Sequence, residues 1–260
     1  RTQLLPAFDD DVAARAIAAD GVEEGVLAVV SLNGPLAAPQ ESLSPVADLR
    51  ASALGVTGLV QRATSLRRDV PPSGEIIALP ALEPFSKDLY ETIVSRRSER
   101  RFGGGAMPLT ALASLLAGAA QPALLSDALT LNIVVNRVEG VPRGVYRYLP
   151  RHALQRVREG DHQAAARSAA LSQDVIGDAA AVLVVSADRD EVLAQGARGY
   201  RHVLVEAGLT GERWLLGASA RGLAACPVGA FYDDEAAALI GADPRRQWVL
   251  HFAAVGTRAP

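Results

Sequence analysis

The chain has 260 residues, 49% of them apolar and 21% charged, with a formal net charge of −3. That balance belongs to a folded globular protein, and nothing in it would recruit nucleic acid or an anionic membrane surface. A single cysteine, Cys226, excludes an internal disulfide and a cysteine-rich metal centre, and no apolar run approaches the roughly 20 residues of a membrane helix. With no signal-peptide pattern at the start, a cytoplasmic protein is expected, in which residue 1 is not the native first residue.

The first predicted element is half of an internal repeat. Residues 7–32 (AFDDDVAARAIAADGVEEGVLAVVSL) align without a gap to 230–255 (AFYDDEAAALIGADPRRQWVLHFAAV). The matches beyond alanine, Phe8/Phe231, Asp10/Asp233, Ile17/Ile240 and Asp20/Asp243, favour duplication over chance. The second copy closes the chain, so residues 1–35 read as the tail of a preceding repeat. Residues 36–84 carry proline- and glycine-rich punctuation around one or two short helices within 47–66 and read as a linker. Residues 85–260 read as the main domain.

Within it, Leu89, Ile93 and Val94 recur at helical spacing, and Pro108 opens a leucine-rich helix through Leu116. Asn132–Val138 reads as a strand, Gly144–Tyr148 and Ala153–Val157 as a hairpin flanking Pro150, and Asp161–Ser172 as a helix. Ala180–Ser186 is a continuous apolar run suited to a strand buried on both faces. Tyr200–Arg221 is a long helix that Gly222 can end; Asp233–Ile240 is a short one capped by Asp233 or Asp234; Trp248–Val255 is the last strand. Mixed helices, hairpins and few regular βαβ units give an α+β class.

The segment Ser95–Phe102 gathers Arg96, Arg97, Arg100, Arg101 and the hydroxyl of Ser98. One reading is solvated charge at the negative end of a helix dipole. The other is a phosphate cradle, since guanidinium forks match phosphate oxygens bidentately and a serine adds a short donor. Gly103–Gly105 lacks the strand–glycine–helix context of a dinucleotide fingerprint.

Six motifs in order resemble the nitroreductase superfamily over about residues 79–260. They are Ser95-Arg-Arg-Ser-x-Arg-x-Phe102, Pro108-Leu-x-x-Leu-x-x-Leu-Leu116, Gly144-Val-Tyr-Arg-Tyr148, Arg198-Gly-Tyr-Arg-His-Val-Leu-Val-Glu-Ala-Gly208, Cys226-Pro-Val-Gly-Ala-Phe231 and Ala254-Val-Gly256. More narrowly, they resemble its azoline-oxidase-type branch, flavin dehydrogenases that oxidise thiazoline and oxazoline rings in modified peptides. The resemblance implies a nitroreductase-like α+β fold with a central mixed or antiparallel sheet flanked by helices, forming a homodimer or, given the repeat, a fused pseudo-dimer. It implies FMN as cofactor and a small heterocyclic or modified-peptide substrate. By resemblance, Arg96, Arg97, Ser98 and Arg100 would hold the flavin phosphate and the N1/O2 edge of the ring. Arg258 would be a further phosphate partner, against the alternative of a solvated terminal arginine. Pro227, Val228, Gly229 and Ala230 match the segment along the isoalloxazine, with the N–H groups of Gly229 and Ala230 facing N5 and O4. Tyr200 matches a tyrosine proposed as an active-site acid; a half-buried helix residue is the plainer reading. Cys226 reads as a packed small side chain, and His202 as structural.

The sequence departs from that branch at Gly199, where lysine is common, and at Leu209, Glu212 and Arg213, where histidine and amides are usual. Gln121–Ala128 replaces a segment usually reading Pro-Ser-Ala-Gly-Ala-Leu-Tyr-Pro, which helps cover the flavin. A second hypothesis therefore stands beside the enzyme: a non-catalytic partner of the same fold, contributing interface or substrate recognition.

Overall fold

The computed structural model describes residues 2–5, 8, 12–13, 16–18, 26–32, 74–84 and 87–259. The expected short helices within 47–66 lie outside the described residues.

Seven strands form the central sheet: β3 (Ile76–Ala78), β4 (Leu129–Val135), β5 (Gly144–Leu149), β6 (Ala153–Glu159), β7 (Ala181–Asp188), β8 (Ala224–Val228) and β9 (Gln247–Gly256). Their order is β3-β6-β5-β4-β7-β9-β8, and each adjacent pair is antiparallel. β3 joins the sheet edge through Ile76↔Gln155, so the sheet begins ahead of residue 85, inside the stretch read as linker. A separate two-stranded pair joins β1 (Gln3–Leu4) to β2 (Val30–Ser31).

β7 lies inside the sheet, between β4 and β9, as its sequence requires. Leu183 and Val185 enter one buried cluster, Val182 and Val184 the opposite one, and all four have no exposure. A strand with apolar side chains on both faces needs a cover on each. Helices α2 (Leu109–Ala119) and α6 (Ala197–Ala220) cover the first face, bringing Leu112, Leu115, Leu116 and Trp214. Helices α3 (Gln163–Ala169), α4 (Asp174–Gly177) and α7 (Asp233–Leu239) cover the other with Ala166, Ile176 and Leu239. Burying each such leucine or isoleucine is worth about 1.5–3 kcal/mol. A polar chain pins the register between the layers: Asn132 Nδ2 donates to Ser186 Oγ at 3.1 Å, which also accepts from Gln247 Nε2 at 3.0 Å. A one-residue slip would bury these groups unpaired.

Local signals set the helix ends with two corrections. α1 (Leu89–Ser95) starts where the Asp88 carboxylate accepts from Tyr90 N at 2.8 Å and Glu91 N at 3.3 Å. α6 ends before Gly222, whose φ of +69° suits the residue past a helix end. At α7 the expected aspartate cap is absent: Tyr232 is the N-cap, and Asp233, Asp234 and Glu235 occupy the first turn, where they face the positive end of the helix dipole. The apolar stripe of α1 is not core either, since Leu89, Tyr90, Ile93 and Val94 are all more than half exposed and Thr92 is its buried residue. A short helix α5 (Arg189–Ala194) precedes α6, capped by Asp188. Among the described residues, no helix is long and apolar enough to cross a membrane.

Candidate functional site

The arginine segment leaves α1 as extended chain and runs along the edge of the sheet. Arg96, with ψ at 135°, ends the helix. Glu99 N donates to Ala225 O at 2.9 Å, and Phe102 bridges to Arg258. Gly103 N then donates to Thr257 O at 2.8 Å. These bonds lay residues 96–103 across the ends of β8 and β9, so the motifs around 96–102, 226–231 and 254–258 become one region.

Charge at this edge is organised around two carboxylates. Glu99 Oε1 accepts from Arg258 Nη2 at 2.9 Å, and Arg258 Nε donates to Gly222 O at 3.1 Å. Glu212, on α6, stands 3.9 Å from Arg96 Nε. Arg96 Nη1 also reaches Ser98 Oγ at 3.5 Å, while Arg97 Nη1 turns back to Val94 O and Arg96 O at 2.9 and 2.8 Å. Arg100 lies beside the Cys226 thiol on β8. Burial pushes that thiol up, against a smaller pull from the hydrogen bond and charge of Arg100 and the charge of Arg96, so it rests as a neutral thiol at pH 7. Cys226 is a packed side chain, 4% exposed.

Arg96, Ser98, Arg100 and Arg258 are brought together; Arg97 shares the segment but spends its guanidinium on the backbone of α1. Pro227 and Val228 finish β8, and Gly229 and Ala230 follow as exposed backbone. Among the described residues, the N–H groups of Gly229 and Ala230 donate to no protein acceptor, while Ala230 O accepts from Gln173 Nε2 at 3.1 Å. A Cβ built on Gly229 would meet nothing within 4 Å. Two free donors over open space, just past the end of the strand whose Cys226 lies beside Arg100, suit a flat polar ring bearing an anionic tail.

Tyr200 stands apart. It lies near the start of α6, twelve positions before Glu212, which is roughly 18 Å along a helix at 1.5 Å per residue. Its ring meets Trp248 edge-on at 5.6 Å, and it is half exposed beside a groove with Asp233, Gln247 and Val249. His202 follows on the same helix.

Glu99, Glu206 and Glu212 were not legible as site residues, because their partners are remote in sequence. Glu206 is 2% exposed, and its Oε2 accepts from Leu124 N and Leu125 N, both at 2.9 Å. It thereby holds the departing segment 121–128 at the wall of a cavity of about 440 Å³ that Arg147 and Thr210 also line.

The Nitroreductase family profile matches residues 93–257. The chain belongs to the nitroreductase family. A family homologue from Methanocaldococcus jannaschii is 32% identical over 178 residues, covering 61% of this chain and 86% of that protein. Among solved structures, a nitroreductase homologue from Anabaena variabilis superposes with a TM-score of 0.78 at 21% identity over all of this chain; the chain spans 60% of that protein's length. The E. coli microcin synthetase McbBCD complex with truncated pro-MccB17 bound matches 80% of this chain and 84% of its own with a TM-score of 0.54 at 20% identity. A nitroreductase homologue from Desulfovibrio desulfuricans, solved in complex with FMN, matches 67% of this chain and 88% of its own with a TM-score of 0.51 at 18% identity. The α+β fold with its large antiparallel sheet is the one these structures share.

Proposed function

We propose that this chain is an FMN-dependent oxidoreductase of the nitroreductase family, and that its phosphate cradle is the cluster of Arg96, Ser98, Arg100 and Arg258. The observation that carries this reading is that cluster along β8 together with the unpaired N–H groups of Gly229 and Ala230 just past the end of the same strand. FMN is the cofactor of this family, and when bound it supplies acceptance and return of a hydride equivalent. The residues present fit it. Arg96 and Arg100 offer forked donors and Ser98 a hydroxyl for the phosphate oxygens. Glu99, engaging Arg258, and Glu212, close to Arg96, orient those guanidinium groups and moderate their mutual repulsion. Gly229 and Ala230 offer two backbone donors to the polar edge of the ring, and the absent side chain at Gly229 allows close approach. A cation near the ring favours the anionic reduced form, which is how a protein tunes a flavin.

The substrate class we favour is a small heterocycle, an azoline ring of a ribosomal peptide among them. Its conversion to the aromatic azole removes a hydride equivalent from one ring carbon and a proton from its neighbour. Tyr200 is proposed for that proton on the sequence resemblance alone: it stands roughly 18 Å along α6 from Glu212, so it would serve only in a site completed by a second unit and with a relay to take the proton onward. Support comes from the ordered motifs and from the likeness to the microcin synthetase complex. A second reading is favoured by segment 121–128: a chain that keeps the fold and serves a partner site as scaffold or substrate-recognition half of a pseudo-dimer.

The test is the visible spectrum of the purified protein and of Ser98→Ala/Arg100→Ala. Flavin absorbance that disappears in the variant, with its melting temperature retained, supports the cradle. Flavin retained unchanged removes these residues from the site, and a colourless wild-type protein that takes up no added FMN establishes the scaffold reading.

A further inference from the structure

The residues proposed to hold FMN leave one titratable group between them unused. His251 stands on β9, where it pairs with Val185 of β7. The last pair joining β8 to β9 is Val228↔Phe252, so one further step of that antiparallel ladder sets His251 beside Gly229. The imidazole lies under α6. A Cβ built on Gly211 would stand 2.6 Å from His251 Nε2 and 2.8 Å from its Cδ2, so the missing side chain of Gly211 makes the room that the ring fills. The next residue along α6 is Glu212, the carboxylate that stands toward Arg96. The imidazole is thus set between the arginine cradle and the free N–H groups of Gly229 and Ala230.

Packing does not account for a histidine here. Among the described residues, its Nε2 is buried with no hydrogen-bond partner, a placement that an apolar side chain would fill at lower cost. The charges around it are committed elsewhere: on α6, Glu212 stands toward Arg96 and Arg213 toward Glu206. Val185 on β7 and Gly229 and Ala230 beyond β8 carry none, and Asp233, the first charged residue after them, lines the groove beside Tyr200. Burial holds the imidazole below its usual pKa, so it rests neutral at pH 7. A neutral base without a partner responds to charge that arrives beside it. Cross-strand neighbours lie about 4.5–5.5 Å apart, within the range where an opposite charge moves a titratable group by about 1–3 pH units. Two-electron reduction of a bound flavin brings a negative charge of that kind to its polar edge.

We propose that His251 is a redox-linked proton acceptor of this site: it takes one proton from water when bound FMN is reduced and gives it back when the electrons leave. The two electrons and the proton of the hydride equivalent go to the cofactor, so the proton on His251 is an additional one. His251 acts through the charge beside it and not on a substrate atom, which makes it a positioning residue. The inference rests on the FMN reading and adds to it a pH-dependent potential set by this chain.

The experiment is an NMR titration of the histidine ring protons in FMN-loaded protein, oxidised and then reduced with dithionite. His251→Gln removes one of four histidine signals and so assigns it; should that variant not fold, replacing His152, His162 and His202 in turn assigns the same signal by elimination. The expected result is a pKa below 6.5 in the oxidised protein and one at least about a unit higher in the reduced protein. Below both values His251 is protonated in either state and above both in neither, so only between them does reduction bind the extra proton. Over that interval the midpoint potential of the wild type is expected to fall more steeply with pH than that of His251→Gln by one further factor of ten per pH unit, about 30 mV for two electrons. Bound FMN with His251 titrating alike in both oxidation states, or with equal slopes in the two proteins, overturns this proposal and leaves the FMN reading standing. A protein that takes up no added FMN overturns both.

Discussion

Valine at position 229 separates the fold from the proposed flavin contact. A Cβ there meets nothing within 4 Å, so the branch point of Gly229→Val stands in open space. The expected change in stability is within about 0.5 kcal/mol, with a small gain from the less flexible unfolded chain. A ring lying against the same backbone would instead share its contact layer with three new carbons. Overfilling a packed contact costs about 1–3 kcal/mol, which is roughly 5- to 150-fold in Kd at 1.4 kcal/mol per tenfold. Gly103→Val is the matched control, because a Cβ there would lie 2.6 Å from Arg258 O and from Thr257 Oγ1 and must displace the strand end. FMN fluorescence titration gives Kd and a thermal melt gives stability for each variant. A folded Gly229→Val protein with unchanged Kd refutes the placement of the ring along Pro227–Ala230. A loss of stability equal to that of Gly103→Val refutes the argument from open space.

Three further outcomes follow from packing and charge. Gly211→Ala would place a Cβ 2.6 Å from His251 Nε2; the helix gains about 1 kcal/mol but overpacking costs about 1–3 kcal/mol, so urea denaturation should show a net loss that disappears in a His251→Ala background. Burial holds the His251 imidazole below its usual pKa, so its contribution to stability is complete above the unfolded value near pH 6.5 and is lost as pH falls through the lower folded value, at up to about 1.4 kcal/mol per pH unit. His251→Leu should flatten that part of the stability–pH curve, and an unaltered slope assigns it to other groups. Glu206→Ala strips the acceptor from two backbone N–H groups, each bond to a charged group being worth about 1.5–3 kcal/mol; hydrogen exchange at Leu124 and Leu125 should accelerate ahead of the sheet, and exchange no faster than wild type would show that the carboxylate does not hold that segment.

Local chemistry by itself determined much of this protein. The unbroken apolar run around Ala181–Ser186 requires cover on two faces, the alternation around Pro150 requires a hairpin, and Gly222 ends a long helix; each signal is complete within a few neighbouring residues. The arginine cluster and the glycine of the 226–231 motif were likewise legible, because donor type and the absence of a side chain are properties of the residues themselves. Tertiary structure decided which remote groups meet. Glu99 finds Arg258, Glu206 finds Leu124 and Leu125, and Arg198 finds Phe8 only after the sheet has closed. Tertiary structure also leaves Leu89, Ile93 and Val94 exposed, although their spacing alone would bury them. Periodicity records that a face is apolar; what lies against it depends on the rest of the fold, since burial is a relation between two surfaces and a sequence pattern describes one.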